Sequence, residues 1–265
     1  MIRVYPNGTA CVEENRQLLA TNPYQAMFFC LDAPQIKQST KRDYAILAEA
    51  GGERLLCMKL SPYSLLLFGD SAPAGELFDY LLANDYEIGS LLGGEDLCDQ
   101  VIAMLQSRFG IRYQEALAMD FMEAREVTEA SCSDVEIPTE ADLRELVECK
   151  TNFVADCGLK DPVSEERTRQ RLGEYRVLRR DGKIVSMAAI SAATENALKI
   201  AAVYTRPEYR GRGLARLVVN TAKNEILSQG KIATLNVDKK NPITNHLYRS
   251  LGFRPVFSQG EYRRG

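Results

Sequence analysis

The sequence contains one histidine, His246, and no tryptophan among its 265 residues. A serine or cysteine hydrolase triad needs a histidine base, and zinc sites are built mainly from histidine and cysteine. The seven cysteines are odd in number and form no CxxC pair, so they do not predict a disulfide framework. We therefore expect no metal site and no histidine-dependent nucleophile.

Strong charge of one sign and long apolar runs are also missing. The formal net charge is -3 and the basic residues are scattered, with a local concentration of arginine at 206–216, which argues against a nucleic-acid partner. No segment reaches about 18 apolar residues, and the N-terminus lacks the basic start and apolar run of a signal peptide. We expect no membrane association and a cytoplasmic location. The hydrophobic share of 45% and the charged share of 26% are typical of a globular protein.

The length favours two domains of about 130 residues each. We place the junction in the polar segment 122–136, which gives an N-terminal domain 1–125 and a C-terminal domain 126–265. Apolar periodicity and turn residues in the second half predict two helices, three strands, a helix, a strand, a helix and a strand. These elements are expected at 139–157, after Ser164, and at 175–180, 183–190, 198–204, 213–228, 232–237, 243–251 and 254–257.

The first half repeats this order. Strands are predicted at 44–50, 54–60, 64–68, 86–92 and 115–121, and helices at 75–83 and 96–109, the latter closed by Gly110. The hairpin turns at Gly51 and Asp181 are 130 residues apart. The order suggests an internal duplication, although the side chains of the two halves differ.

The segment VYTRPEYRGRGLA, residues 203–215, carries the clearest chemical signal. A strand ends, a loop containing Gly211 and Gly213 follows, and a helix begins. Such a loop directs backbone N–H groups and the positive end of a helix at one point, which suits a phosphate group. Arg210 and Arg212 add forked donors for the same anion. The alternative is an ordinary glycine-rich connection with surface arginines.

This loop resembles the coenzyme A loop of the GNAT superfamily of acetyl-CoA-dependent N-acetyltransferases, through Arg210, Gly213 and Ala215. A second match lies downstream, in LNVDKKNPITNHLYRSLGF, which resembles the last motif of that family. Thr244 departs from it, because the family usually has alanine there. The resemblance covers about residues 134–265. It implies an α/β (α+β layered) fold with a mixed, mostly antiparallel sheet flanked by helices, and two such domains in tandem.

The resemblance also implies roles for individual residues. The strand at 198–204 would diverge from the strand at 232–237, and acetyl-CoA would bind between them, with its pantetheine arm bonded to Val203 and Thr205. An amide near Tyr204 would polarise the thioester, Asn241 would bond the pantetheine arm, and Tyr248 would be the general acid. The expected cofactor-binding residues are Val203, Tyr204, Thr205, Arg210, Gly211, Arg212, Gly213, Leu214, Ala215 and Asn241.

The expected function is transfer of an acetyl group from acetyl-CoA to a primary amine of a small molecule or peptide, by direct attack. A non-catalytic acyl-CoA-binding sensor is the alternative, and a homodimer is left open. No base is assigned: Glu174, Glu195 and Asp238 are candidates by position only, and His246 is expected to face away from Tyr248. The loop of the first half, 69–75, has no arginine or lysine, and Asp70 and Glu76 would repel an anion. The first domain should therefore be a degenerate copy without a cofactor loop.

Overall fold

The computed structural model describes residues 1–158 and 162–265. Within these ranges the chain forms twelve strands and nine α-helices. The strands are β1 (Ile2–Val4), β2 (Tyr44–Ala50), β3 (Glu53–Lys59), β4 (Leu65–Gly69), β5 (Leu91–Gly94), β6 (Tyr113–Ala124), β7 (Val135–Glu136), β8 (Tyr175–Arg180), β9 (Lys183–Thr194), β10 (Ala197–Thr205), β11 (Ile232–Asp238) and β12 (Arg254–Arg264). The helices are α1 (Gly8–Glu14), α2 (Arg16–Leu19), α3 (Pro23–Asp32), α4 (Ala74–Ala83), α5 (Glu95–Phe109), α6 (Leu143–Asp156), α7 (Glu165–Gln170), α8 (Leu214–Ser228) and α9 (Pro242–Ser250).

The chain divides into two compact units. The first comprises residues 1–121, 238–240 and 257–265, and the second comprises 122–237 and 241–256. The last nine residues thus belong to the first unit rather than to the second half of the chain. The physical reason is the pairing of Gln259–Tyr262 in β12 with β5, antiparallel.

The second unit contains the strand order β11-β10-β9-β8-β7. Strands β8 and β9 form a hairpin whose turn residues, Asp181 and Gly182, both have positive φ (51° and 75°), as a two-residue hairpin turn requires. Strand β10 is antiparallel to β9 and parallel to β11, and α8 makes the crossover between β10 and β11. Two cores lie on opposite faces of this sheet. One is formed largely with α8 and the other with α6.

The first unit has the same strand directions. Strands β2, β3 and β4 are antiparallel neighbours, and β5 follows α4 and is parallel to β4. This is the arrangement of β8, β9, β10 and β11 in the second unit. The predicted fold class, a mixed and mostly antiparallel sheet flanked by helices in each of two units, is confirmed.

The structure departs from the predicted elements in several places. The strand expected at 86–92 begins only at Leu91, because Asp85 and Gly89 adopt positive φ (56° and 67°) and interrupt an extended backbone. The last strand does not stop at Phe257 but continues to Arg264, since β5 supplies a partner for it. No element was assigned to residues 1–43, which form β1, α1, α2 and α3.

Candidate active site

Strands β10 and β11 are paired over a short distance only. The register runs from Ala197 opposite Ile232 to Lys199 opposite Thr234. Strand β10 continues to Thr205 and β11 to Asp238, and within the described residues no further register pair joins them. The two strands therefore part beyond Lys199, which leaves unpaired backbone groups facing the gap between them.

A β-bulge lies in β10 beside this gap. Between two register pairs, β10 advances from Ala201 to Tyr204 while β9 moves only from Ala189 to Met187. Ala202 carries the irregularity, with a φ of 48°. The extra residue changes which face the side chains occupy. Ile200 and Val203 contact the core under α8, whereas Ala202 and Tyr204 contact the core under α6.

The loop between β10 and α8 has an open glycine backbone. Gly211 and Gly213 have φ values of 74° and 75°, and no atom would lie within 4 Å of a Cβ added to either. Gly213 is the N-cap of α8 and no side chain caps the helix. The first N–H groups of α8 are therefore without a side-chain capping acceptor, at the positive end of a 15-residue helix. Leu214 is buried, and Ala215 is half-buried in the first turn.

The two arginines of this loop contact the protein itself. The Arg210 guanidinium donates to the Thr205 carbonyl (2.9 Å) and to the Asp156 carboxylate (2.5 Å). Arg212 donates to the Glu208 carbonyl (3.1 Å), and its guanidinium lies 5.4 Å from the centre of the Tyr209 ring. Both side chains are exposed. In this structure the two arginine side chains stabilise the loop. They could contact a phosphate only after breaking these hydrogen bonds.

Tyr204 is held from several sides. Its side chain is 4% exposed, and the Arg210 guanidinium lies 5.8 Å from the centre of its ring. Burial raises the pKa of the Tyr204 hydroxyl, and a hydrogen bond with Asn152 on α6 partly offsets this. The Tyr204 carbonyl accepts a hydrogen bond from the Ser186 hydroxyl (3.1 Å). These contacts fix the end of β10 that borders the gap.

Tyr248 projects from α9, a helix whose start is fixed by Asn241 and Pro242. Tyr248 is 6% exposed, and its ring packs edge-on against Phe253 at 6.1 Å between centres. Among the residues that the structure describes, no group forms a hydrogen bond with its hydroxyl. Burial raises the pKa of Tyr248 to about 12, with a smaller contribution from the Cys157 thiol. The phenol is therefore protonated throughout the neutral range.

Asn241 has a clear structural role. Its side chain accepts a hydrogen bond from the Thr244 amide (3.2 Å), as the N-cap of α9. The side chain is exposed, so a hydrogen bond to a bound molecule stays a prediction.

The three carboxylates considered as bases differ in their surroundings. Glu174 is paired with Arg171 (2.6 Å), and Glu195 is exposed in the turn before β10, at the end of the strand opposite to Tyr204. The Asp238 carboxylate accepts a hydrogen bond from the Lys240 amide (2.8 Å). His246 is exposed on α9.

Two lysines of this unit were not singled out from the sequence. Lys199 is half-buried in β10, and burial lowers the pKa of its ammonium group. Lys223 of α8 is fully buried and donates to the Thr128 hydroxyl (2.8 Å) and the Leu251 carbonyl (2.9 Å), which ties the segment before β7 to the end of α9. A single lysine within the apolar stretch ALKIAAV was the available signal for Lys199.

The sequence of residues 141–253 matches the model of the Acetyltransferase (GNAT) family, which places β10, the glycine loop, α8 and α9 inside the matched range. This segment belongs to the GNAT acetyltransferase family. The elements described above as parts of one candidate active site thus all lie within the GNAT segment. No curated protein matches the sequence.

Solved structures support the same fold over the whole chain. A GCN5-related N-acetyltransferase from Sphaerobacter thermophilus has 15% identity and a TM-score of 0.70, covering 99% of this chain and 94% of its own. A GNAT-family acetyltransferase from Colwellia psychrerythraea has 12% identity and a TM-score of 0.63, and the match covers 100% of this chain and 99% of that one. A tandem GNAT protein from the clavulanic acid biosynthesis pathway has 12% identity and a TM-score of 0.58, and the match covers 99% of this chain and 98% of that one. At these identities the likeness concerns the fold, and it extends the GNAT fold to both units.

The described residues lack two features, a membrane-spanning helix and a metal-binding cluster. In ranges 1–158 and 162–265, no helix is long and apolar enough to cross a membrane. Over the same ranges, no three histidine, cysteine, aspartate or glutamate side chains are grouped so that they could hold a metal ion.

Proposed function

We propose that the protein is an N-acetyltransferase that moves an acetyl group from acetyl-CoA to a primary amine of a small molecule or peptide. The observation that carries this proposal is the parting of β10 from β11 beyond Lys199, directly before an uncapped helix reached through Gly211 and Gly213. The gap suits an extended arm, and the helix start suits an anion at its end.

The residues present fit coenzyme A. Open space over Gly211 and Gly213 would admit a pyrophosphate close to the backbone, and the free amides of Leu214 and Ala215 would donate to it. Arg210 and Arg212 would add charge after leaving their present partners. Val203 and Thr205 at the gap, and Asn241 at the start of α9, would bond the pantetheine arm. Acetyl-CoA would supply the thioester whose acyl group is transferred.

Backbone amides and Tyr248 would perform the chemistry that the protein contributes. An N–H group near Tyr204 would stabilise negative charge on the carbonyl oxygen as the amine attacks. The Tyr248 hydroxyl holds its proton at neutral pH and would donate it to the sulfur as the C–S bond breaks. The proton released by the attacking amine would return through water to restore the phenol. Because the amine attacks directly, no protein nucleophile is required.

An acceptor-dependent turnover assay tests this function. Purified protein is incubated with acetyl-CoA and a panel of primary amines, and both the acetylated amine and free CoA are quantified by chromatography. Chromatography is preferable to a thiol-reactive dye, because Cys30 and Cys157 are exposed thiols. Amine-dependent formation of both products is expected. Tight CoA binding without turnover for any amine would instead favour a sensor.

A further inference from the structure

Three hydroxyl- or amine-bearing side chains form a polar row across the second sheet. Ser191 of β9, Lys199 of β10 and Thr234 of β11 are direct register partners on neighbouring strands, so their side chains share one face. Leu198 and Ala233 contact the core under α8, which places this row on the opposite face. Lys199 and Thr234 also form the last pair before the strands part. The row therefore lies at the closed end of the gap.

The ammonium group of Lys199 lacks a counter-charge among the residues that the structure describes. No described carboxylate or carbonyl forms an ion pair or hydrogen bond with it, whereas Arg206 and Arg210 nearby in the chain each have carboxylate partners. The neighbouring hydroxyls serve the backbone: Thr234 donates to the Leu198 carbonyl (3.1 Å) and Ser191 to the Lys199 carbonyl (3.5 Å). A half-buried cation without a partner is costly, so a bound anion would be stabilised there.

Distance argues against Lys199 as the base. Lys199 precedes Val203 by four residues, which is about 13 Å along an extended strand. A lysine side chain spans about half of that length. A general base must lie within about 3.2 Å of the proton that it removes, or act through one water. Lys199 is thus better placed to hold the end of an acceptor that is remote from its amine.

We propose that Lys199 binds a carboxylate on the acceptor, so that the substrates are amines bearing a carboxylate at some distance from the reacting nitrogen. This inference rests on the proposed function, which makes the acceptor an amine. The acceptor would approach on the face opposite to α8, where the β10 residues in the core under α6 are Ala202 and Tyr204, so that core does not include Lys199. Ser191 and Thr234 would donate to the same carboxylate only after releasing the backbone carbonyls to which they now donate.

The test compares ω-amino carboxylic acids of increasing chain length with n-alkylamines of the same length. The wild-type protein should favour the amino acids. Lys199→Met should lower kcat/KM for them by about 10- to 100-fold, as expected when a charge-assisted hydrogen bond is lost, and change the alkylamines little. Lys199→Arg should retain part of the preference. Lys183→Met, which removes an exposed lysine from the start of β9, is the matched control and should behave as wild type.

Two kinetic results would overturn the proposal. An equal loss for amino acids and alkylamines in Lys199→Met would mean that Lys199 acts on the reaction or the fold rather than on a carboxylate. If the wild-type protein showed no preference for amino acids over alkylamines, the proposal for Lys199 would also be overturned, but the acetyltransferase function would stand.

A binding measurement separates this proposal from the proposed function. Valerate, a carboxylate without an amine, is added to the CoA-loaded protein and detected by saturation-transfer NMR. Binding to wild type and Lys183→Met, with loss in Lys199→Met, is expected even if no amine is acetylated. Absence of binding to wild type, or equal binding to Lys199→Met, would overturn the assignment of Lys199.

Discussion

Replacement of Tyr248 by phenylalanine tests the proposed acid with little disturbance of the fold. The Tyr248 hydroxyl has no hydrogen-bond partner among the described residues, and its ring packs against Phe253, a contact that phenylalanine retains. The free energy of unfolding should therefore change by less than about 1 kcal/mol, because no protein hydrogen bond is lost. Loss of the proton donor should lower kcat by about 10- to 1000-fold, or about 1.4 to 4 kcal/mol in the barrier.

The assay is steady-state acetyl transfer followed by chromatography, with CoA affinity measured separately by calorimetry. Affinity should stay close to wild type, because the hydroxyl acts only in the transition state. Since burial raises the pKa of Tyr248 to about 12, the acid should remain protonated at pH 9, and kcat should show no alkaline decline from this group below that pH. Tyr175→Phe, at a tyrosine 3% exposed in β8, controls for loss of a buried phenol. A Tyr248→Phe protein with unchanged kcat would refute the reasoning and leave Tyr248 as a packing residue.

The other predictions concern the loop and the two units. Gly213→Val should weaken CoA binding at least tenfold in calorimetry, because it fills the open space at the start of α8 and φ of 75° disfavours a branched side chain; unchanged affinity would contradict the loop assignment. Titration of the full chain should give one CoA site, and two equivalent sites would show that the first unit also binds. The fragment 126–265 should be insoluble or aggregate in gel filtration, because it lacks Met122 and Ala124 of its own core and leaves Tyr262 without β5; a soluble, fully active monomer would disprove this.

The sequence predicted the second unit closely because its signals are local. The turn residues Asp181 and Gly182 and the periodic apolar face of α8 each act within a few residues, and these elements lie within one to two residues of their predicted bounds, except that β9 runs on to Thr194. The extension of β12 to Arg264 was missed because its partner, β5, lies more than 160 residues earlier in the chain. A strand pairing between such distant segments leaves no local pattern in the sequence.

The candidate site, like the fold, was predictable from the sequence only where its signals are local. Gly211 and Gly213 could be found from the sequence, because they stand between a strand pattern and a helix pattern. The structure gives both a positive φ, and the helix that follows has no side-chain cap. The partners of Arg210 could not, because Asp156 lies on another helix and Thr205 offers only its backbone carbonyl. The bulge at Ala202 was equally hidden, since alanine rarely adopts the φ of 48° found there.

The loop after the third antiparallel strand differs between the two units in the space beside its glycines. In the first unit, a Cβ on Gly69 would lie 2.1 Å from the Arg54 carbonyl oxygen, and one on Gly75 would lie 2.7 Å from the Arg108 guanidinium. At Gly69 the close atom belongs to the backbone, so glycine is needed there, whereas at Gly75 it is the end of a flexible side chain that could move. Asp70 accepts a hydrogen bond from the Arg54 amide (3.0 Å), and Glu76 in the first turn of α4 places negative charge where an anion would bind. In the second unit the space over Gly211 and Gly213 is empty and no acidic residue stands in the first turn of α8. The strand-loop-helix order thus occurs in both units, and in the second this loop combines open space beside its glycines with a helix start free of acidic residues, which supports the prediction of one CoA site.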